Sequence, residues 1–406
     1  MLLNRTNLID IRSARYLGIF GTLATAVLGI VVLANYLVDP SMIHQWDSAI
    51  VQRLRPPREK LDPWVKTYAI FKYQPQVLYV GNSRTEVGLP PDSRLFGGKR
   101  VFNGAISGGS VGDAIAMLQH SRSVTKLDTV VWGVDYWTFS PEIGNTDFDR
   151  DLVASGASYW ATRELMNLKR SLSIDMTVDS VDFLVGQTPT VCRSSLAFYG
   201  QKDVACTSGV LLDRGGAAKA LVADIKAAKD RNEKVTQGIK AFSEEIGRLC
   251  TSGTRTMVYI NPTHALLLEM LYRQGHGPSV EEWERLLVGA THSARKKGCD
   301  IRLFDFSGFN SITSESIPQV SGHSDMQNYW EGSHYRTSVG RLILARMIPI
   351  PDVNVPEDFG VQLDDNVIEG QLGRIRAERE AYRSRHPAES ILLDEWIRSD
   401  RTKRQS

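Results

Sequence analysis

Apolar positions along this chain fall into three patterns. The first is one unbroken run, Leu17 to Val38, which carries no charged residue and stops at Asp39-Pro40. A helix of that length spans the core of a bilayer. The second pattern is a set of short, continuous apolar segments that each run into glycine or a polar turn: Val77–Val80, Arg100–Ser107, Thr129–Asp135, Arg255–Ile260 and Cys299–Phe304. Such segments predict buried strands. The third is a spacing of three and four residues, as at Ala114, Met117 and Leu118, which predicts helices over Val111–Ser121, Val280–Lys297 and Val339–Met347. Strands alternating with helices predict an α/β domain with a parallel sheet and crossover helices, placed over residues 76–350.

The rhythm breaks between Phe139 and Leu249. This stretch reads as helix over Leu152–Leu172, Val178–Leu184 and Gly216–Leu249. The last run spaces Leu221, Ile225, Val235, Ile239, Phe242 and Ile246 at helical intervals. It predicts a helical cap inserted over the sheet, residues 141–250. Residues 39–75 read as a juxtamembrane linker with a basic cluster from Arg53 to Lys60 and an amphipathic piece from Trp64 to Tyr73. Residues 351–406 read as a charged tail, helical in part, with no core of its own.

Charge and cysteine usage narrow the compartment. Arg5, Arg12 and Arg15 precede the apolar run, so the positive-inside rule leaves residues 1–16 in the cytoplasm, with residues 17–38 crossing the inner membrane once. The remainder then lies outside it, in the periplasm of a two-membrane cell. A cleaved signal peptide is the other reading of this run, and it exports the remainder equally. The four cysteines, Cys192, Cys206, Cys250 and Cys299, suit an oxidising compartment. Cys192–Cys206 and Cys250–Cys299 are the natural pairs, although spacing does not fix connectivity, and four buried thiols are the alternative. A net charge of +2, with no basic stripe, argues against a nucleic-acid partner. No zinc-type Cys/His spacing occurs, and neither a metal nor a cofactor is expected.

The chemistry gathers at strand ends. The first strand runs into Gly81-Asn82-Ser83, which presents a serine where open parallel sheets bind ligands. A serine hydroxyl needs a base to become a nucleophile. The best partner lies in Tyr329-Trp-Glu-Gly-Ser-His-Tyr335. There His334 can take and return a proton, and Glu331, three residues earlier, can orient the imidazole. Ser83 as a plain turn residue and His334 as a structural histidine are the competing readings. Asp325 is a reserve for orienting His334. His264 reads as structural or substrate-lining, His323 as a loop residue, and Tyr136 and Trp137 as aromatic core rather than a sugar-stacking wall.

Taken together, these blocks resemble the SGNH (GDSL-type) hydrolase superfamily, over about residues 76–140 and 255–347. Gly81-Asn82-Ser83 is similar to its Gly-Asp-Ser block. Asn103-Gly-Ala-Ile-Ser-Gly108 is similar to its glycine block, Gly133-Val-Asp135-Tyr136 to its Gly-x-Asn-Asp block, and Glu331-Gly-Ser-His334 to its Asp-x-x-His block. The resemblance implies a flavodoxin-like, three-layer fold with a five-stranded parallel sheet in the order 2-1-3-4-5. It implies Ser83, His334 and Glu331 as catalytic residues. The oxyanion and substrate site would use Gly108, Asp135, Asn103 and Arg84, with the backbone N–H groups of Ser83 and Gly108 as donors. Asp135 departs from the family, which has a donating asparagine there, and Glu331 replaces the usual aspartate.

Among membrane-anchored relatives, the pattern is similar to alginate O-acetylation proteins and to the D-alanine transfer protein of teichoic acids. That likeness implies acyl transfer to, or removal from, an envelope polysaccharide, with a polytopic membrane protein as acyl donor. A simple esterase, and a non-catalytic polysaccharide-binding or assembly subunit, are the other readings.

Overall fold

The computed structural model describes residues 5–40, 43, 63–142, 144, 159–186, 199–202, 216, 218–219, 231–320, 326–348, 350 and 353–403. The chain divides into two units, residues 1–58 with 156–190, and residues 59–155 with 191–406.

The second unit is an α/β fold on a mixed six-stranded sheet. In chain order its elements begin with α2 (Pro63–Tyr73), β1 (Val77–Val80), α3 (Ser83–Gly88), β2 (Val101–Asn103), α4 (Val111–Val124) and β3 (Thr129–Val134). They continue with α7 (Arg231–Thr251), β4 (Arg255–Ile260), α8 (Ala265–Arg273), α9 (Gly277–Lys296) and β5 (Ile301–Asp305). Last come α10 (Thr337–Met347), β6 (Val361–Leu363), α11 (Ile368–Arg385) and α12 (Pro387–Lys403). The sheet order is β2-β1-β3-β4-β5-β6. Strands β1 to β5 pair in parallel, with Val77 opposite Val101 and Thr129. Strand β6 pairs antiparallel to β5, setting Phe304 opposite Gln362.

Every side chain of β1, β2 and β3 is buried. Strands covered on both faces need no polar alternation, which is why they read as continuous apolar runs. Helices α2, α4, α7 and α9 pack in series as neighbours, and α3 packs against α10. Helix α4 starts where it does because Ser110 and Asp113 form a reciprocal cap. The Ser110 hydroxyl accepts from the Asp113 N–H at 3.2 Å, and the Ser110 N–H donates to the Asp113 carboxylate at 2.7 Å. A disulfide joins Cys250, at the end of α7, to Cys299, just before β5. The proposed partners Cys192 and Cys206 lie outside the described residues, as do Asp325, His323 and the linker's basic cluster.

Three expectations change. The sheet has six strands and is mixed, because Val361–Leu363 adds an antiparallel edge to the five parallel strands. Residues 351–406 are not a coreless tail. Leu372, Ile375 and Tyr382 of α11 and Leu392, Leu393 and Trp396 of α12 are buried in the same core as the sheet. Arg379 of α11 also donates to the buried Glu269 carboxylate at 2.6 Å. The segment predicted as a cap is divided. Helix α7 joins the row of helices beside α4 and α9, while residues 156–190 cluster with the N-terminal helix.

The first unit holds α1 (Arg5–Val38), α5 (Tyr159–Ser171) and α6 (Ile174–Leu184). Residues Ser13–Val38 of α1 are long and apolar enough to cross a membrane, with a mean hydropathy of 2.4. Both α5 and α6 pack against α1.

Candidate active site

The carboxyl ends of β1 and β3 are adjacent in the sheet, and both carry polar residues. The turn after β1 is tight. A side chain at Gly81 would come within 2.5 Å of the Thr85 hydroxyl and 2.8 Å of the Gly133 carbonyl, so only glycine fits. Gly133 is equally crowded, with Thr85 Oγ1 at 2.2 Å and the Tyr259 hydroxyl at 2.7 Å from any added Cβ. These two glycines let the β1 turn sit against β3.

Asn82 then caps α3, its side chain accepting from the Arg84 N–H at 3.0 Å. This fixes Ser83 as the first residue of the helix. Its hydroxyl lies 2.8 Å from His334 Nε2. The other ring nitrogen, Nδ1, hydrogen-bonds to the Glu331 carboxylate. The same carboxylate accepts the His334 backbone N–H at 3.0 Å. With a carboxylate at Nδ1, the imidazole carries its proton there and offers Nε2 as the acceptor for Ser83. The glutamate side chain is 1% exposed and the histidine 17%. The base is thus held from beneath by a buried carboxylate while its edge stays open to a ligand.

Arg84 ties the two halves of this relay. It follows Ser83, and it donates to the carbonyl of Ser333, the residue before His334, at 3.1 Å, and to the Ser333 hydroxyl at 2.8 Å. Its guanidinium stacks over Trp137 at 4.3 Å and lies 3.5 Å from the Asp135 carboxylate. Arg84 is buried, and it braces Ser83 to the loop of His334.

Asp135 is an acceptor here. Its Oδ2 receives Asn82 Nδ2 at 2.6 Å and Asn261 Nδ2 at 2.9 Å. Burial pushes its carboxyl up, and Arg84 with the two amide donors opposes that shift. From Asn261 a buried chain continues. Its Oδ1 accepts from the Tyr335 hydroxyl at 3.2 Å, Tyr335 meets the Tyr259 hydroxyl at 3.2 Å, and Tyr259 meets Thr85 at 2.9 Å. The network joins the ends of β1, β3 and β4 to the residue after His334.

Asn103 is also structural. Both protons of its amide are used, on the carbonyls of Thr85 at 2.9 Å and Leu89 at 3.0 Å. Gly108 is exposed, with φ at 71°. Its loop is fastened beside the β1 turn, where the Ile106 N–H donates to the Gly81 carbonyl at 3.0 Å. Beneath that loop Lys66 pairs with Glu86 at 2.8 Å and also donates to the Ala105 carbonyl. Ser107 donates to the second Glu86 oxygen and accepts from Lys202 Nζ at 3.2 Å. Burial drives the Lys66 ammonium below its usual range. Burial pushes Glu86 up, but Lys66 and Lys202 outweigh it and hold the carboxyl below normal.

His264 is a helix cap. Its Nδ1 accepts from the Leu266 N–H at 3.1 Å and its Nε2 donates to the Glu315 carbonyl at 2.6 Å. Tyr136 belongs to the core, edge-on to Trp283 at 6.0 Å. Sequence reasoning missed Asn261, Ser333, Lys66 and the tyrosine pair. Asn261 had a readable signal, since it directly follows an apolar strand as Asp135 does and as Asn82 does one residue on. A cavity of about 750 Å³ lies elsewhere, lined by Tyr73, Asp92, Arg94, Tyr199 and Arg341 among others, and it includes none of Ser83, Glu331 or His334. Among the described residues no cluster of side chains suited to a metal ion occurs.

No protein-family model matches the chain, and no curated protein matches it.

Proposed function

We propose that this protein is a serine acyltransferase or esterase of the SGNH type, built on a flavodoxin-like scaffold whose parallel core carries an added antiparallel edge. The observation that carries the reading is the relay Ser83–His334–Glu331, assembled from residues 251 positions apart into one hydrogen-bonded line. Ser83 Oγ would attack the acyl carbonyl carbon as His334 Nε2 takes its proton. Glu331 would stabilise the resulting imidazolium. The N–H groups of Ser83 and Gly108 would receive the developing oxyanion, a contribution typically worth about 100-fold or more in rate per donor. Collapse would expel the alcohol, reprotonated by His334, and leave an acyl-Ser83 ester. A sugar hydroxyl or water, deprotonated by His334, would then resolve it.

The reading extends to the setting. A spanning α1 would anchor the enzyme in the inner membrane with its α/β domain outside, and the Cys250–Cys299 disulfide supports an oxidising compartment. Envelope polysaccharide as acceptor, acetyl as the group carried and a polytopic membrane protein as donor follow from the family likeness alone.

The test is turnover of p-nitrophenyl acetate by the full chain in detergent, beside Ser83→Ala and His334→Ala. Each variant is expected to fall by about 1,000-fold or more. Equal rates in all three, with circular dichroism showing folded protein, would overturn the enzyme reading. The binding-subunit alternative would then be tested by polysaccharide retention.

A further inference from the structure

Helix α5 is built inside out, and α6 beside it carries an exposed aliphatic stripe in addition to its buried Met176 and Phe183. On α5 the buried side chains include Tyr159, Arg163, Asn167 and Ser171, spaced one turn apart. Arg163 donates to the Tyr159 hydroxyl at 2.6 Å. The opposite face shows Leu165, Leu168 and Leu172, 66%, 51% and 45% exposed. On α6 the exposed residues Ile174, Val178, Val181 and Val185 follow one another at helical spacing. At about 100° per residue they share one stripe, with the exposed Asp175 and Asp179 roughly a quarter turn away. On α5, polar side chains inside and aliphatic side chains outside reverse the arrangement that water favours, and on α6 the aliphatic stripe is a second apolar face left exposed.

The surroundings of this pair say what covers it. The turn between α5 and α6 is fastened to α1, where the buried Asn35 donates to the Ser171 carbonyl at 2.8 Å and to the Thr177 hydroxyl at 3.0 Å. The side chains of α1 that lose exposure near this end are Val31, Val32, Asn35 and Val38. From Val38 back to Val31 is about 10 Å along the helix. The charge-free stretch, Leu17–Val38, would be about 33 Å long, close to a hydrocarbon core of about 30 Å, so its last turns fall within the core. Contact along its last two turns therefore holds the pair at bilayer depth rather than above it. A polar Asn35 at that depth needs an internal partner, and the α5–α6 turn supplies one.

From these positions we infer that α5 and α6 form a membrane-embedded hairpin beside the outer end of α1. Their leucine and valine stripes face lipid acyl chains, and Asp175 and Asp179 face the aqueous side. The inference rests on the reading that α1 spans a bilayer. The chain is thus held by three helices rather than one, and the protein meets the membrane through a segment far from its N-terminus in sequence.

The full chain, reconstituted in phosphatidylcholine–phosphatidylglycerol vesicles, tests this with the photoreactive p-benzoylphenylalanine placed singly at Val27, Leu168, Val181 and Lys240. Lipid adducts would be counted by mass spectrometry after illumination. Val27 reports the spanning helix, and Lys240 is an exposed position on α7 of the other unit. The hairpin predicts adduct yields at Leu168 and Val181 comparable with Val27 and at least about tenfold above Lys240, because a buried probe is surrounded by acyl chains. Adducts at Val27 but background levels at Leu168 and Val181 would overturn the hairpin and leave the anchor standing. Background levels at Val27 as well would overturn both. Cross-links from Leu168 or Val181 to a second copy of the chain, in place of lipid, would assign the stripes to a protein interface and overturn the inference.

Discussion

Asp135 holds the charge balance of the candidate site. It is the carboxylate beside the buried Arg84, and that arginine braces Ser83 to the loop of His334. Asp135→Asn keeps an acceptor for Asn82 and Asn261 but leaves Arg84 with no anion. Removing one partner of such a pair is expected to lower stability by about 3 kcal/mol, read by urea denaturation. Unchanged stability with lost turnover would instead give Asp135 a direct part in the chemistry. His264 makes a prediction about pH. Its Nδ1 faces an N–H donor, so there is no room for a second proton, and burial drives its pKa down to about 4. In the unfolded chain it titrates near 6.5. The folded state binds fewer protons between those values, so this stability is complete above pH ~6.5 and is lost as pH falls towards ~4, by up to about 3 kcal/mol. A thermal melting series across that window should show a shallower pH slope for His264→Gln than for wild type.

At the scale of elements, the disulfide and the helix it ends are the clearest case. Cys250 and Cys299 are 49 residues apart, and their bond ties the end of α7 to the start of β5 and closes β4, α8 and α9 into one loop. Closing a loop of that length in the unfolded chain is worth about 4 kcal/mol in the chain-entropy model. The double variant Cys250→Ser, Cys299→Ser should melt at lower temperature than wild type. Reductant should bring the wild type down to the variant and leave the variant where it is. These helices and strands were largely legible beforehand. Val77–Val80 and Arg255–Ile260 emerge at their expected bounds, because strands buried on both faces leave an unmistakable apolar run. Strand β6 was not legible, since three residues paired to one neighbour have no pattern of their own.

For the whole molecule, the C-terminal segment separates two pictures. If β6, α11 and α12 complete the core, a chain ended at residue 358 leaves the edge of β5 unpaired, removes Ile375 and Leu393, and uncovers the apolar surface they pack against. That chain is expected to aggregate or to lose its cooperative melting transition. Wild-type melting and solubility in the truncated protein would restore the tail reading. From sequence the segment reads as a tail because its apolar positions, Ile368, Leu372, Ile375 and Tyr382, are scattered among arginines and glutamates. Those charges are not idle, since Glu269 is buried against Arg273 and Arg379. A charged composition suggested solvent, while the folded chain uses the charges in pairs against its own core.

The sequence by itself determined what depends on neighbours along the chain. That covers the apolar N-terminal helix, the alternation of strands and helices, and a serine at the end of β1 with a Glu-x-x-His block far downstream. Local spacing is enough for each, because burial on both faces, helical periodicity and turn chemistry leave direct traces in residue order. The tertiary structure decided which of those residues meet. It brought Ser83 to His334, gave Arg84 and Asn103 bracing work, made Asp135 an acceptor, and buried Lys66 against Glu86 beneath the loop of Gly108. It also divided the predicted cap, sending α7 to the sheet and α5 and α6 to the side of α1. Those outcomes turn on desolvation and on the geometry of pairs remote in sequence, and neither is written in the order of the residues.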